Sequence, residues 1–278
     1  MLIAPKLFIA DDDLMSNLPE QLNIPIYVNG TSPADHYLSF ASLFSSKSES
    51  AFPTTCVGLT PDTTAGLLMT SGSTGPSKAC ELSHSYFISS ARTLIKSFRL
   101  STEDVLFCPF PLCHADATCF TVIPALCLQT TAAISRKFSA SKWWDEIRES
   151  RSTIADFMGA TLSILYKAQP QASDRDNSLR LMWGVPVPQW VEDFEQRFSL
   201  KVVEAYGSTE TGLPVVQPLD KPRIAGSCGV ALSDVQLKVV DSQGHELPFG
   251  IPGELIVNQP PNTRFSGANF TYEWLQRR

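Results

Sequence analysis

From Ala65 to Ala205 the chain alternates between short apolar runs, typical of buried strands, and longer stretches with apolar residues at helical spacing. The predicted strands are Ala65–Thr70, Val105–Phe110, 130–134, Ile154–Phe157, Leu179–Trp183 and Lys201–Ala205. The predicted helices are 83–98, 117–128, a helix through Trp143, Trp144 and Ile147, 160–168 and 189–198. Ser139 or Ser141 is the expected N-cap of the third helix. Repeated β-α-β units predict an α/β fold in which helices flank a parallel sheet.

The pattern changes after Pro218. Val235–Val240 and Glu254–Val257 are predicted strands, joined through a turn at Asp241–Gly244 with no helix between them. We therefore expect a small antiparallel β piece at the C-terminal end of the α/β core.

The N-terminal region is less regular. Leu7–Ala10 and Ile24–Val28 are candidate strands, and the serine-rich stretch Ser39–Ser50 is typical of a solvated loop or linker. The predicted domains are 1–62, 63–218 and 219–278.

Charge and cysteine content exclude several classes of protein. The chain has 22 basic and 28 acidic residues, a net charge of −6, whereas nucleic-acid binders need a basic surface, so we expect no nucleic-acid partner. The longest apolar run, Ala117–Leu128, is shorter than the roughly 18 residues that a membrane span needs. The chain has 7 cysteines, an odd number, and its N-terminus lacks a signal pattern, which together predict a reducing, cytoplasmic location.

Four cysteines flank His114, namely Cys108, Cys113, Cys119 and Cys127. Their spacing fits no C-x-x-C arrangement, so we interpret them as buried small hydrophobic residues rather than metal ligands. His114 itself follows a predicted strand and is expected at the ligand edge of the sheet. It contacts a ligand there or is a structural histidine; the residues alone leave both interpretations open.

A glycine-rich turn follows the first predicted strand of the core. Its residues are Thr70, Ser71, Gly72, Ser73, Thr74, Gly75, Pro76, Ser77 and Lys78. The glycines allow a tight turn whose N–H groups face an anion, and the hydroxyls and the lysine add donors and charge. The stretch is either a phosphate-binding loop or a Ser/Gly surface loop. It is not a Walker A loop, because Ser77 precedes and Ala79 follows the lysine.

A second polar motif, Tyr206–Gly212, follows the last predicted strand of the parallel sheet. The carboxyl ends of parallel strands form a ligand crevice, so both motifs can line it. Tyr206 offers a stacking face for a purine, Thr209 a hydroxyl for a phosphate, and Glu210 a hard oxygen ligand for Mg²⁺. Taken singly, each is also an ordinary core, turn or surface residue.

The stretches TSGSTGPSK, PLCHADA, YGSTETG and GELIV occur in this order and resemble the motifs of the adenylate-forming superfamily. That superfamily includes acyl-CoA synthetases, luciferases and the adenylation domains of peptide synthetases. The resemblance covers roughly Asp62 to Val257. The segment from His114 to Arg180 is most similar to the carnitine/crotonobetaine-CoA ligase branch.

The resemblance implies an AMP-forming acid–thiol ligase, with ATP, Mg²⁺ and coenzyme A as its nucleotide, metal and thiol. A carboxylate attacks the α-phosphate of ATP, pyrophosphate leaves, and a thiol then displaces AMP. The residues implied to hold the β- and γ-phosphates are Thr70, Ser71, Gly72, Ser73, Thr74, Gly75 and Lys78, with Lys78 also acting in catalysis.

The other implied roles follow the remaining motifs. Tyr206 would stack on adenine beside Gly184 and Gly207, which line the nucleotide pocket. Thr209 would contact the α-phosphate and Glu210 would hold Mg²⁺, both as catalytic residues. His114, also catalytic, would stand between the acyl pocket and the phosphates.

The family architecture implies that residues 1–62 are a remnant of a larger N-terminal lobe with a serine-rich linker. Residues 63–218 would form the ATP-binding core and 219–278 a truncated β subdomain, with the mobile C-terminal domain and its lysine absent. The alternative to an active ligase is therefore a non-catalytic or impaired nucleotide-binding remnant, or a scaffold completed by a partner. The acid is expected to be small or medium-sized, and the thiol to be coenzyme A or a carrier-protein pantetheine. The sequence leaves open whether the protein forms a homo-oligomer.

Overall fold

The computed structural model describes residues 5–18, 22–30, 37–44, 58–70 and 78–258. Its contacts divide the chain into two units, Met1–Leu59 and Thr60–Arg278. No helix in the described ranges is long and apolar enough to cross a bilayer.

The first unit contains a three-stranded parallel sheet. Its strands are β1 (Phe8–Asp11), β2 (Ile26–Asn29) and β3 (Leu38–Ser39), with 3₁₀ helices at Asp12–Asn17 and Phe40–Phe44. Both strands predicted here are confirmed, each displaced by one or two residues. The loop predicted for the serine-rich stretch was wrong over its first part, where Ser39 ends β3 and a 3₁₀ helix follows; residues 45–50 lie outside the described ranges.

The second unit has the predicted alternation of strands and helices. Its strands are β4 (Thr64–Thr70), β5 (Lys78–Ser83), β6 (Val105–Cys108), β7 (Thr131–Ile134), β8 (Ile154–Met158), β9 (Leu181–Val185), β10 (Lys201–Ser208), β11 (Gly212–Val216), β12 (Val230–Ala231), β13 (Gln236–Val240) and β14 (Glu254–Asn258). Its helices are α1 (His84–Phe98), α2 (Ala115–Ala117), α3 (Ile123–Leu128), α4 (Trp143–Ser150), α5 (Gly159–Lys167) and α6 (Val191–Phe198), with a π-helical turn, Thr118–Val122, between α2 and α3. The strands and helices predicted for the core are present, with ends that differ by a few residues, except that the predicted helix 117–128 is divided into the end of α2, the π-helical turn and α3.

Seven strands form the central sheet in the order β12-β11-β10-β9-β8-β6-β7. The five strands from β10 to β7 are parallel, whereas β11 and β12 are antiparallel to their neighbours. The α/β prediction with a mostly parallel sheet is confirmed. Because consecutive side chains of a strand point to opposite faces, neighbours such as Met182 and Trp183 belong to different hydrophobic clusters.

Each face of the sheet is covered by its own helices. The first cluster includes Leu94 and Phe98 of α1 together with Phe120 of the π-helical turn. The second cluster includes Trp143 of α4 and Phe194 of α6, together with Leu162 and Leu165 of α5. All of these side chains are buried, so the sheet separates two independent apolar layers.

The helix caps follow the prediction only in part. Ser83 caps α1 by accepting a 3.2 Å hydrogen bond from the backbone N–H of Tyr86. The predicted serine cap of α4 was wrong, because Lys142 holds the N-cap position without a side-chain cap bond. Ser139 and Ser141 instead lie with their hydroxyl oxygens 3.3 Å apart.

The strand predicted before the glycine-rich turn is present, but the prediction that it is buried was wrong. β4 pairs with β5 in an antiparallel hairpin outside the seven-stranded sheet, and Leu68 is the one buried residue of β4. A strand, not a helix, therefore follows the turn, and α1 begins only after β5.

Antiparallel pairing begins earlier than predicted. β10 continues through Ser208 instead of ending at Ala205, and the chain turns back into β11 before Pro218. The predicted C-terminal piece is confirmed: β13 and β14 form an antiparallel hairpin, and a turn at Asp241–Gly244 follows β13.

The amino ends of three parallel strands meet at Asp104. Arg180, just before β9, donates two hydrogen bonds of 2.8 Å to the two carboxylate oxygens of Asp104. The hydroxyl of Thr153, just before β8, donates another of 2.7 Å. Burial alone would raise the pKa of Asp104, but these hydrogen bonds and that from the backbone of Ser101 lower it to about 2. This cluster lies at the end of the sheet opposite the carboxyl ends of the strands.

Candidate functional site

The carboxyl ends of neighbouring parallel strands carry most of the residues singled out from the sequence. β10 carries Tyr206 and Gly207, β9 carries Gly184, and the segment after β6 carries His114. Since β10, β9, β8 and β6 are adjacent in that order, these residues share one edge of the sheet. This is the edge at which open α/β sheets bind ligands.

Gly184 is required by the close approach of β8. A Cβ atom at this position would lie 1.9 Å from the carbonyl oxygen of Phe157, the residue paired with Gly184. The next peptide bond, Val185–Pro186, is cis. Packing therefore explains this glycine, and its role at a nucleotide pocket stays a prediction.

Tyr206 presents its ring at the sheet edge. Its side chain is 41% exposed, while Ala205 before it is buried, as strand alternation requires. The position leaves an aromatic face accessible to a planar ligand.

A tight turn joins β10 to β11 and carries Thr209 and Glu210. The backbone N–H of Ser208 donates to the Thr211 hydroxyl at 3.1 Å, and the N–H of Thr211 donates to the Ser208 carbonyl at 3.2 Å. A Cβ atom at Gly207 would lie 1.8 Å from the carbonyl oxygen of Gly212, so only glycine fits this turn. Thr209 is half-buried and Glu210 is exposed at the tip.

Tyr86 holds this turn from the other side. Its phenol donates a 2.9 Å hydrogen bond to the backbone carbonyl of Thr209, and the side chain is 1% exposed. In the sequence, the helical spacing over 83–98 predicts only that Tyr86 faces the core. This spacing does not indicate that the Tyr86 hydroxyl bonds to a turn 123 residues further along the chain.

Glu210 lies close to β5. Burial raises the pKa of the Cys80 thiol to about 11, and the charge of Glu210 adds to this effect. The same carboxylate acts on the buried phenol of Tyr86. Glu210 is therefore near the strand that begins at Lys78, where the glycine-rich turn ends.

The structure describes only the two ends of the glycine-rich turn. Thr70, the last residue of β4, is paired with Lys78, the first of β5. The remaining predicted residues, Ser71, Gly72, Ser73, Thr74 and Gly75, lie outside the described ranges. Their phosphate-binding role stays a prediction.

His114 precedes α2, and its ring is 49% exposed. Its Nδ1 atom contacts the carboxylate of Asp116, and this hydrogen bond raises the pKa of the imidazole more than burial lowers it. The ring centroid of Phe110 lies 6.4 Å away. His114 is thus held by a carboxylate at the ligand edge, an arrangement in which the charged imidazolium is favoured.

Asp156 of β8 is a buried carboxyl group that sequence reasoning missed. It has no exposed surface, and its Oδ1 atom has no hydrogen-bond partner among the described residues. Burial, and then the charge of Asp116, raises its pKa well above the ordinary value. In the sequence it stands inside an apolar strand run, with no pattern that distinguishes it.

The four cysteines near His114 divide into two kinds. Cys108 and Cys119 are buried, as predicted, whereas Cys113 and Cys127 are exposed, so the prediction was wrong for these two. Among the described residues, no group of three or more His, Cys, Asp or Glu side chains is arranged to hold a metal ion. A cation at Glu210 would therefore need most of its ligands from outside the described residues.

The chain is similar to proteins of one family. A family model described as AMP-binding enzyme matches residues 4–265, which extends beyond the predicted Asp62–Val257 at both ends. The chain is 33% identical over 196 residues to the medium/long-chain-fatty-acid–CoA ligase FadD17 of Mycobacterium tuberculosis, covering 70% of this chain and 38% of the relative. It is 28% identical over 233 residues to a crotonobetaine/carnitine–CoA ligase of Salmonella enteritidis, covering 82% of this chain and 45% of the relative.

A solved structure of ATP-bound MatB from Rhodopseudomonas palustris superposes with a TM-score of 0.78 at 25% identity, covering 94% of this chain and 52% of that chain. The chain thus spans about half the length of these relatives or less. The predicted resemblance to acyl-CoA ligases, the crotonobetaine/carnitine ligases among them, is confirmed.

Proposed function

Because the chain belongs to the AMP-binding enzyme family, we propose that it forms the ATP-binding part of an acid–thiol ligase. The reaction joins a carboxylate oxygen to the α-phosphorus of ATP as the bond to pyrophosphate breaks. A thiol sulfur then bonds to the acyl carbon and AMP leaves. Such chemistry needs positioning and charge neutralisation more than a protein nucleophile.

The observation that carries this proposal is the turn between β10 and β11. Its tip bears Thr209 and Glu210, and Tyr86 holds its backbone. The electrostatic influence of Glu210 on Cys80 indicates that the tip is close to β5, the strand that leaves the glycine-rich turn. The tip of this turn therefore lies near the strand that follows the glycine-rich turn in sequence, which supports a site for a polyphosphate.

The residues fit a magnesium-bound nucleotide. Mg²⁺ in nucleotide sites is held by one or two carboxylates together with phosphate oxygens and water, which agrees with a lone exposed Glu210. The ion, when bound, neutralises phosphate charge. Thr209 supplies a hydroxyl for the α-phosphate, and Thr70 to Lys78 supply donors for the β- and γ-phosphates.

The other residues at the carboxyl edge of the sheet bind the adenine base and the carboxylic acid substrate. Tyr206 stacks on adenine beside Gly184 and Gly207, the two glycines that line the nucleotide pocket in this proposal. His114 faces the boundary between acid and phosphates. The acid is a small or medium-sized carboxylic acid, and the thiol is coenzyme A or pantetheine. We also propose that the protein is cytoplasmic.

Two measurements on the 278-residue chain test the proposal. Calorimetric titration with Mg·ATP should show saturable binding that GTP does not match. Pyrophosphate release should then depend on a carboxylic acid, tested with short aliphatic, medium-chain, aromatic and betaine acids. Binding without acid-dependent release favours the impaired nucleotide-binding alternative, and absence of ATP binding contradicts the proposal.

A further inference from the structure

The first turn of α1 anchors the hairpin formed by β4 and β5. The first N–H groups of a helix have no partner within the helix itself. Those of His84 and Ser85 donate to the carbonyls of Thr63, at 3.1 Å, and Pro61, at 2.8 Å, just before β4. Ser83, the last residue of β5, caps the same helix. Both strands of the hairpin are therefore attached to α1 at its N-terminal turn.

The same helix also holds the turn between β10 and β11. The phenol of Tyr86, in the first turn of α1, donates a 2.9 Å hydrogen bond to the Thr209 carbonyl and is 1% exposed. One helical turn further on, Ser90 lies on the same face of α1. Its Oγ atom would lie 3.6 Å from a Cβ atom at Gly212, the first residue of β11. Contacts from α1 therefore reach both ends of the turn.

The hairpin and the turn belong to different sheets. In the described part of the chain, β4 and β5 pair only with each other, whereas β10 and β11 belong to the seven-stranded sheet. Strand pairing therefore does not fix the distance between the hairpin and the turn. The first turn of α1 bonds to both of them, and Tyr86 supplies the bond to the turn.

We propose that Tyr86 is a positioning residue that sets the β10–β11 turn relative to the hairpin, so that one polyphosphate chain contacts both. The identity of the ligand rests on the proposed function, in which the hairpin carries the contacts to the β- and γ-phosphates and Thr209 the contact to the α-phosphate. A ligand that spans two binding segments gains affinity only when their separation matches its length. The Tyr86 hydroxyl therefore favours ligands that span both segments over ligands that contact one.

Three ligands separate positioning from a general effect on the fold. Mg·ATP spans both segments, AMP contacts the β10–β11 side, and tripolyphosphate contacts the hairpin side. Tyr86→Phe keeps the buried ring and removes only the hydroxyl, so we expect the variant to fold. Its affinity for Mg·ATP should fall about fivefold, the effect of one hydrogen bond. Its affinities for AMP and tripolyphosphate should stay within about twofold of wild type, because neither ligand ties the turn to the hairpin.

Calorimetric titration measures all three affinities. The matched control is Tyr166→Phe, which removes a hydroxyl that bonds to Asp193 on α6 and should leave all three unchanged. An equal loss for the three ligands would mean that Tyr86 acts through the stability of the fold, and this result overturns the proposal. An unchanged affinity for Mg·ATP, or a loss confined to AMP or to tripolyphosphate, also overturns it.

Amide hydrogen exchange tests the positioning without any ligand. The N–H of Thr211, bonded to the Ser208 carbonyl at 3.2 Å, reports on the β10–β11 turn. The N–H of Gly244, bonded to the Asp241 carbonyl at 3.0 Å, is the control in a separate turn. Tyr86→Phe should speed exchange at Thr211 about fivefold and leave Gly244 unchanged. An unchanged Thr211, or equal acceleration at both amides, overturns the proposal.

The two measurements keep the failures apart. A wild-type chain that binds no ATP contradicts the proposed function, whereas the exchange rates still decide whether the Tyr86 hydroxyl fixes the turn. A wild-type chain that binds ATP and does not respond to Tyr86→Phe contradicts the positioning role alone.

Discussion

The phenol of Tyr86 donates a 2.9 Å hydrogen bond to the backbone carbonyl of Thr209, which ties α1 to the turn between β10 and β11. The bond is partly buried, and it fixes the backbone of a residue whose side chain is predicted to contact a phosphate.

Tyr86→Phe removes this donor and leaves the Thr209 carbonyl without its partner. We expect the free energy of unfolding to fall by about 1 kcal/mol, because a partly buried acceptor loses its hydrogen bond. The affinity for Mg·ATP should fall several-fold as the turn loses its anchor. Urea unfolding and calorimetry measure the two effects. The matched control is Tyr166→Phe, whose exposed hydroxyl bonds to Asp193 and should leave affinity unchanged.

Tyr206→Ala should weaken ATP binding because a base loses its stacking partner. Base–aromatic stacking contributes about 1–3 kcal/mol, which corresponds to a loss of affinity of roughly 5- to 150-fold. Tyr206→Phe keeps the ring and should bind normally. Tripolyphosphate, which has no base, provides the control ligand: an equal loss for tripolyphosphate would show that Tyr206 does not act through adenine.

Glu210→Gln should weaken ATP binding only in the presence of Mg²⁺. The loss of one charged metal ligand is expected to cost about tenfold or more in affinity, measured by calorimetry with Mg²⁺ and again with a chelator. Glu149→Ala, an exposed carboxylate near the end of α4, is the control. The same loss in chelator would contradict a metal-binding role.

Glu210→Gln has a second readout at Cys80. Burial is the larger cause of the raised thiol pKa of about 11, so removing the Glu210 charge should lower it only part of the way toward its usual value. Alkylation of Cys80 followed against pH by mass spectrometry measures this shift. An unchanged profile would place Glu210 farther from β5 than the structure does.

Gly184→Ala should destabilise the fold. The added methyl would stand 1.9 Å from the Phe157 carbonyl oxygen, and backbone atoms cannot yield as a flexible side chain can. We expect a loss of about 1–3 kcal/mol in the free energy of unfolding. Gly66→Ala is the control, because its new methyl would meet only the Phe87 ring at 3.3 Å. Equal effects of the two substitutions would refute the close-approach explanation.

Asp104→Asn should lower stability in a pH-dependent way. The pKa of Asp104 is about 2 in the folded chain and about 3.9 when unfolded, so ionised Asp104 stabilises the fold above the unfolded value. The stability difference between wild type and Asp104→Asn should be constant above about pH 5 and shrink as the pH falls toward 2. Urea unfolding across this range measures it. ATP affinity at pH 7 should not change, since Asp104 lies at the opposite end of the sheet.

Periodicity was sufficient to predict the parallel sheet. Its central strands β8 and β9 are buried on both faces, so an apolar run such as Ile154–Phe157 predicts a buried strand. The same reasoning misread Ala65–Thr70, because its apolar residues lie in a hairpin with one buried position, and a run of this length does not record how many faces are covered.

The site was predicted where its residues form contiguous motifs. Tyr206, Thr209 and Glu210 stand within five positions of one another, and the structure places them on one strand end and turn. Tyr86 and Asp156 were missed because their contacts join residues far apart in the chain. Tyr86 lies in an amphipathic helix and Asp156 in an apolar strand, and neither residue changes the hydrophobic pattern of its segment.

The pairing of Thr70 with Lys78 has a consequence for the predicted phosphate loop. Facing residues of an antiparallel pair hold their Cα atoms about 5 Å apart. The entropy of bringing the two ends of residues 71–77 together is therefore lost when the hairpin folds, before any ligand arrives. The affinity of these residues for an anion should therefore depend on the integrity of β4 and β5 as much as on the loop's own glycines and hydroxyls.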